Sequence, residues 1–116
     1  MSRGEIRTVS GAADDAGKLR PAVIEKDDSF AATASVTICA FTTDETEAPL
    51  FRLLIEPSPT NGLRSPCRLL VDKITTVSRS KLGRRAGRLD DEDMVRLSRA
   101  MVVFLGIGSG TRRSRP

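Results

Sequence analysis

Ser35 to Thr42 is the stretch that most limits what this chain can become. Val36, Ile38 and Ala40 alternate with Thr37, Cys39 and Phe41, so both faces of the segment are largely apolar. A strand with two apolar faces needs cover on both sides, which makes it central in a sheet. Further short strand-like runs surround it: Glu5–Val9, Pro21–Lys26, Leu50–Ile55 and a fifth within Cys67–Val77. Between them, Ser10–Gly17 is small and polar, Thr42–Glu47 is acidic, and Glu56–Gly62 is a run of turn residues. Short strands at this density, separated by turns, predict a small β barrel.

The last third of the chain changes character. Arg79 to Arg88 carries five basic residues and no acid. It reads either as a solvated connector or as a source of phosphate contacts, Arg79 and Lys81 first among them. Asp90-Asp91-Glu92-Asp93 follows, then Met94, Leu97, Met101, Phe104 and Leu105 at helical spacing. Acids in a first turn suit the positive end of a helix dipole, and Asp90 or Asp91 can cap it. Gly106 and Gly108 stop the helix, and its apolar stripe is expected to join the core. A folded domain is expected over residues 1–107, with 108–116 a basic tail of three arginines and no apolar residue.

At 116 residues the chain is one domain, and 39% apolar with 29% charged residues is a globular composition. No run approaches the roughly 18 apolar residues of a membrane helix, and the charged start, Arg3 to Arg7, is no signal peptide. A cytosolic location is expected. Cys39 and Cys67 are widely spaced, match no metal or redox motif, and read as buried thiols. Residues 1–60 carry a net −4 and residues 61–116 a net +8. That polarity suits a polyanion, RNA or DNA first, or else an acidic protein surface. With no His, Trp or Tyr, the chain lacks both a stacking platform for bases and the usual general acid–base residue. No cofactor is called for.

One arginine stands out. In Lys18-Leu-Arg-Pro-Ala-Val-Ile-Glu-Lys-Asp-Asp28, Arg20 precedes a proline and is held extended, at the mouth of a strand. On local grounds it is a loop–strand junction with a guanidinium on stiff backbone.

Four pieces then line up in order: Arg3-Gly-Glu-Ile6; Arg20-Pro-Ala-Val-Ile24; Ala40-Phe-Thr-Thr43; and a long piece from Asp72-Lys-Ile-Thr-Thr-Val77 through Leu82-Gly83 and Gly87-Arg-Leu89 to Asp91-Glu-Asp-Met94. Together they resemble the MazF/PemK family of toxin endoribonucleases from bacterial toxin–antitoxin modules, over nearly the whole chain. Two departures stand in the pattern. Arg7 follows Ile6 where relatives usually carry an aromatic, and Asp27 stands where an Asn is common.

The resemblance implies a mainly β, SH3-like small barrel with a C-terminal helix, acting as a homodimer. It implies metal-independent cleavage of single-stranded RNA at short motifs, and an antitoxin whose acidic segment blocks the RNA groove. It assigns catalysis to Arg20 and Thr42, with Lys18, Thr43, Arg79 and Lys81 as candidate substrate contacts. The chemistry is compatible: a fork of guanidinium donors matches two phosphate oxygens, and a hydroxyl can hold a third or relay a proton. Two other readings stay open. Related CcdB-type toxins share the fold and bind DNA gyrase without RNA chemistry, and a degenerate barrel could bind RNA without cutting it.

Overall fold

The computed structural model describes residues 2–10, 20–25, 34–43 and 51–106. Among these residues seven strands and one helix follow in chain order: β1 (Glu5–Val9), β2 (Arg20–Ile24), β3 (Ser35–Thr42), β4 (Arg52–Ile55), β5 (Cys67–Leu70), β6 (Thr75–Ser78), β7 (Leu82–Arg88) and α1 (Asp91–Leu105). Every pairing is antiparallel, and the sheet runs β4-β5-β3-β2-β1-β7 with β6 added to β3.

β3 is central, as its two apolar faces require. Its outer edge is divided: Ser35–Ile38 pairs with β6, while Phe41 and Thr42 pair with β5. The expected single strand in Cys67–Val77 is therefore two strands. A 3₁₀ turn, Val71–Lys73, separates them; it buries Val71 and brings Asp72 to within 3.7 Å of Arg52. A charged pair of residues in mid-run ends one strand and starts the next.

Alternation puts two clusters on opposite faces of β1–β3. Ile6, Val23, Cys39 and Phe41 join Ile55, Leu69, Leu89 and Leu97 of α1 on one side. Val9, Ala22, Ile24, Val36 and Ile38 lie on the other, with Val77 and Leu82 against them. Each fully buried aliphatic side chain contributes about 1.5–3 kcal/mol relative to exposure, so both faces of the meander help hold it.

β7 lies where the basic run Arg79–Arg88 left a connector as one option. Its sequence, Leu-Gly-Arg-Arg-Ala-Gly-Arg, shows no apolar alternation, and most of its side chains are exposed. Its register with β1 is set by backbone pairing and shifts between Ile6 and Arg7 and between Arg7 and Val9. Gly83 sits so close to Thr8 that a Cβ there would meet its hydroxyl.

A second 3₁₀ turn, Arg79–Lys81, joins diagonal corners of the β1–β3 meander. Arg79 N donates to Ala34 O at 2.9 Å, before β3, and Ser10 N donates to Lys81 O at 3.0 Å, after β1. Only a strongly coiled meander brings those corners within three residues of each other. The coiling is barrel-like, but β4 and β7, the ends of the strand order, are not paired among the described residues. The fold is the expected mainly antiparallel sheet with one C-terminal helix, and closure into a barrel is not detected among the described residues.

The helix begins at Asp90, in extended conformation, without a side-chain capping bond. Asp91 and Asp93 instead pair with Arg88 and Arg96, at 3.2 and 2.8 Å. Gly106 closes the other end in the left-handed region, φ 76°. The apolar stripe divides. Leu97 is buried and Met94 and Met101 pack on the core, but Phe104 and Leu105 stay 40% and 55% exposed beside Val102 and Val103. The stripe outruns the sheet it packs on. No described helix is long and apolar enough to cross a membrane.

Candidate functional site

Arg20 is the first residue of β2, and Thr42 the last of β3. The β2–β3 pairing ends at Ala22–Ala40, and Arg20 and Thr42 lie two residues beyond it, at the same end of the two strands. Val9 lies across from Arg20 on one side, and Arg68 of β5 lies across from Thr42 on the other. Directly opposed residues of an antiparallel pair share a face, with Cβ atoms about 4.5–5.5 Å apart. Arg20, Thr42 and Arg68 thus form a row along one end of the sheet, two guanidiniums and a hydroxyl on neighbouring strands. Arg20, Thr42 and Arg68 are all half-buried, each on strand backbone.

The other candidates divide. Thr43, next along, is exposed. Lys81 lies at the end of β1, where its carbonyl accepts from Ser10, and the following residue, Leu82, is in register with Val9. Arg79 is beside Ala34, at the opposite end of the eight-residue β3 from Thr42, roughly 25 Å along an extended strand. Lys18 and Asp27 lie outside the described residues, as do the acidic loop after Thr43 and the tail from residue 107.

A cleft of about 600 Å³ opens beside the row. Pro21 and Thr43, the chain neighbours of Arg20 and Thr42, belong to its lining, so it lies on the other face of β2 and β3. Arg64 and Ser65 form one wall, and Arg84, Arg85 and Ala86 of β7 another. Glu5 is buried and holds Arg85 at 2.8 Å and Arg7 at 3.6 Å, so one carboxylate answers two guanidiniums. Among the described residues no ion pair engages Arg64 or Arg84.

The wall that carries Arg64 is built around Asn61, a wholly buried amide. Its Oδ1 accepts from Ser58 N at 3.0 Å and Leu63 N at 2.9 Å, and its Nδ2 donates to Glu56 O at 2.8 Å. Arg88 N donates to Thr60 O at 3.0 Å, tying this loop to β7. Two glycines permit the contact. Gly62, at φ 70°, has no room for a Cβ against the carbonyl of Ala86, nor Gly87 against the backbone of Asn61. Backbone packs on backbone there.

Away from the cleft, Glu25 follows β2 with its side chain 1% exposed, 3.2 Å from Arg3, which also donates to Ser98 of α1 at 3.1 Å. Burial pushes the Glu25 carboxyl up to about 7, against the smaller opposite pull of Arg3. Cys39 and Cys67 are free and buried, and burial raises both thiols. No group of His, Cys, Asp or Glu able to hold a metal occurs among the described residues.

Sequence reading named Arg20, Thr42 and Thr43 but passed over Arg64, Arg68 and the wall around Asn61. The only local signal was the Ser-Pro-Thr-Asn-Gly turn, whose buried Asn declares itself only once its partners are placed.

A family model for the PemK-like, MazF-like toxin of type II toxin–antitoxin systems matches residues 2–105. The probable endoribonuclease MazF of Mycolicibacterium smegmatis is 53% identical over 107 residues, which is 92% of this chain and 98% of that protein. A mycobacterial endoribonuclease, solved in complex with its cognate antitoxin, has a TM-score of 0.74 at 20% identity, covering 92% of this chain and 96% of that one. The MazE–MazF complex of Deinococcus radiodurans gives a TM-score of 0.75 at 16% identity, covering 91% and 96%. At such identities the structural likeness speaks for the fold.

Proposed function

The chain belongs to the PemK-like, MazF-like toxin family of type II toxin–antitoxin systems, and on that premise we propose that it is an endoribonuclease cutting single-stranded RNA in the cytoplasm. The observation that carries the mechanism is that Arg20 and Thr42 lie at the same end of the neighbouring strands β2 and β3. In the reaction a ribose 2′-hydroxyl attacks the neighbouring phosphorus. The bond to the 5′-oxygen breaks, leaving a cyclic phosphate and a 5′-hydroxyl. Charge builds on the phosphorane oxygens, where Arg20 offers two parallel donors and Thr42 one hydroxyl. Arg20 acts by charge and alignment. These groups supply positive charge and positioning themselves, and the reading assigns no role to a metal.

The same reading includes a cognate antitoxin, since relatives have been solved with theirs, whose acidic segment would compete for the basic groove. It includes a homodimer. Val102, Val103, Phe104 and Leu105, with Phe51 edge-on to Phe104 at 5.6 Å, leave apolar surface of the kind a second copy covers. Residues 1–107 form the toxin domain in this reading, and 108–116 a basic tail.

The test is purified protein with long unstructured RNA in EDTA. Cyclic-phosphate and 5′-hydroxyl products are expected, with cleavage about a hundredfold slower for Arg20→Ala. RNA left intact across a broad sequence sample would sink the reading. Undiminished toxicity of Arg20→Ala in cells would favour a gyrase-type target instead.

A further inference from the structure

We infer that the cleft between the Asn61 loop and β7 seats a nucleotide flanking the scissile phosphate of single-stranded RNA, and that Arg64 and Arg84 choose which nucleotide it is. The inference rests on the RNA-cleaving reading above and adds a specificity site to it. Three observations converge. First, the lining includes Pro21 and Thr43, the chain neighbours of Arg20 and Thr42, so the cleft and the Arg20–Thr42 row meet at the same end of β2 and β3, and RNA held at the row reaches the cleft by crossing that end. Second, the volume, about 600 Å³, lies within the range of small-ligand sites, roughly 300–1,000 Å³.

The third observation is electrostatic. Of the three arginines among the described lining residues, Arg85 is paired with Glu5, whereas no ion pair engages Arg64 or Arg84 among the described residues. Their walls are stiff. Asn61 holds the loop, Arg88 N binds Thr60 O, and Gly62 and Gly87 lock backbone to backbone. Two like charges on fixed walls repel each other, a cost that an anion between them removes.

The lining also says how a base would be read. Its described residues include no aromatic ring, so they offer no sequence-neutral stacking. What it offers are the guanidinium forks of Arg64 and Arg84 with the hydroxyls of Thr43 and Ser65. Such groups hydrogen-bond base edges and phosphates, and a guanidinium fork matches the paired acceptors of guanine. Recognition by hydrogen bonds discriminates between bases, so the cleft specifies sequence.

The experiment compares wild type, Arg64→Ala and Arg84→Ala, with Lys73→Ala, an exposed cation outside the cleft, as the charge-matched control. Cut sites are mapped on total RNA, and affinity for an uncleavable 2′-O-methyl RNA is measured against salt. Arg64→Ala and Arg84→Ala are expected to relax the preference at one position beside the cut and to raise KM about tenfold. Each lost phosphate contact should lower the salt slope by about 0.7. Lys73→Ala should match wild type. Wild-type cut sites and salt slopes in both cleft variants would overturn the inference. If the wild type cuts no RNA, the cleavage reading fails, and the salt slopes alone decide whether RNA occupies the cleft. Weakened binding of an acidic antitoxin with unaltered RNA slopes would overturn it too, giving the cleft to the protein partner.

Discussion

Arg3 Nη2 lies 3.2 Å from Oε1 of Glu25, a carboxylate whose side chain is only 1% exposed. Burial outweighs the arginine and raises this carboxyl from 4.5 to about 7. The folded chain therefore holds a proton on Glu25 that the unfolded chain releases near pH 4.5. Stability falls as pH rises between those values, since the unfolded state binds fewer protons there. The full difference is on the order of 3 kcal/mol. Glu25→Gln should match wild type near pH 4.5 and exceed it in Tm by pH 8. Parallel melting curves from pH 5 to 8 would show that this carboxyl is not what titrates.

Asn61 should matter more to stability than any other polar side chain in the described loops. Truncation to Ala strands Ser58 N, Leu63 N and Glu56 O, which the amide now satisfies. At about 1–3 kcal/mol per buried orphan, the loss is about 3 kcal/mol or more. For a domain of this size Tm should drop by at least about 10 °C. Gly87→Ala should be comparably severe, because its Cβ meets the backbone of Asn61. Gly106→Ala has open space and only a left-handed φ against it, costing about 1 kcal/mol. Thermal denaturation of the three variants checks this order, and an equal Tm for Gly87→Ala and wild type would contradict it.

How far the sequence reveals this molecule varies by element. The bounds of β1 and β3 can be read directly, because apolar residues on both faces of each strand meet the two clusters. β7 does not, since Gly83 and Gly87 are there for close backbone approach and its arginines face outward. The division of Cys67–Val77 is likewise a tertiary event, driven by which half of β3 each piece meets. Pro21 marked Arg20 as the mouth of β2, while its assignment to the site came only through the family resemblance. Arg64 was not legible, because nothing local separates a turn arginine from one mounted on a stiff wall by a buried Asn three residues earlier.

The helix end offers a test of association. Val103 is 61% exposed, and it lies with Val102 and Leu105 on a surface that a second copy covers in the homodimer reading. Val103→Asp should leave the fold intact, since the side chain contributes little to the core. It should convert a dimer to a monomer, because a carboxylate would be buried without a partner. Sedimentation at micromolar concentration, with a melting curve on the same sample, reads both. A variant that sediments as the wild type does would remove this face from the interface.

In the proposed mechanism Arg20 and Thr42 serve one phosphate, and residues that do so are not independent. The charged fork should weigh more than the neutral hydroxyl, so Arg20→Ala loses about a hundredfold in kcat and Thr42→Ala about tenfold. If both hold the same phosphorane, neither positions it well alone, and the double variant should lose little more than Arg20→Ala. Arg20→Lys keeps the charge but not the paired donors, and its rate should fall between wild type and alanine. The register constrains the interpretation: both residues sit at strand ends, so truncation costs little packing and Tm should stay near wild type. Single-turnover cleavage of one defined RNA by all four variants gives the cycle. Strictly multiplicative losses, with every variant folded, would mean that the two side chains act on separate parts of the substrate.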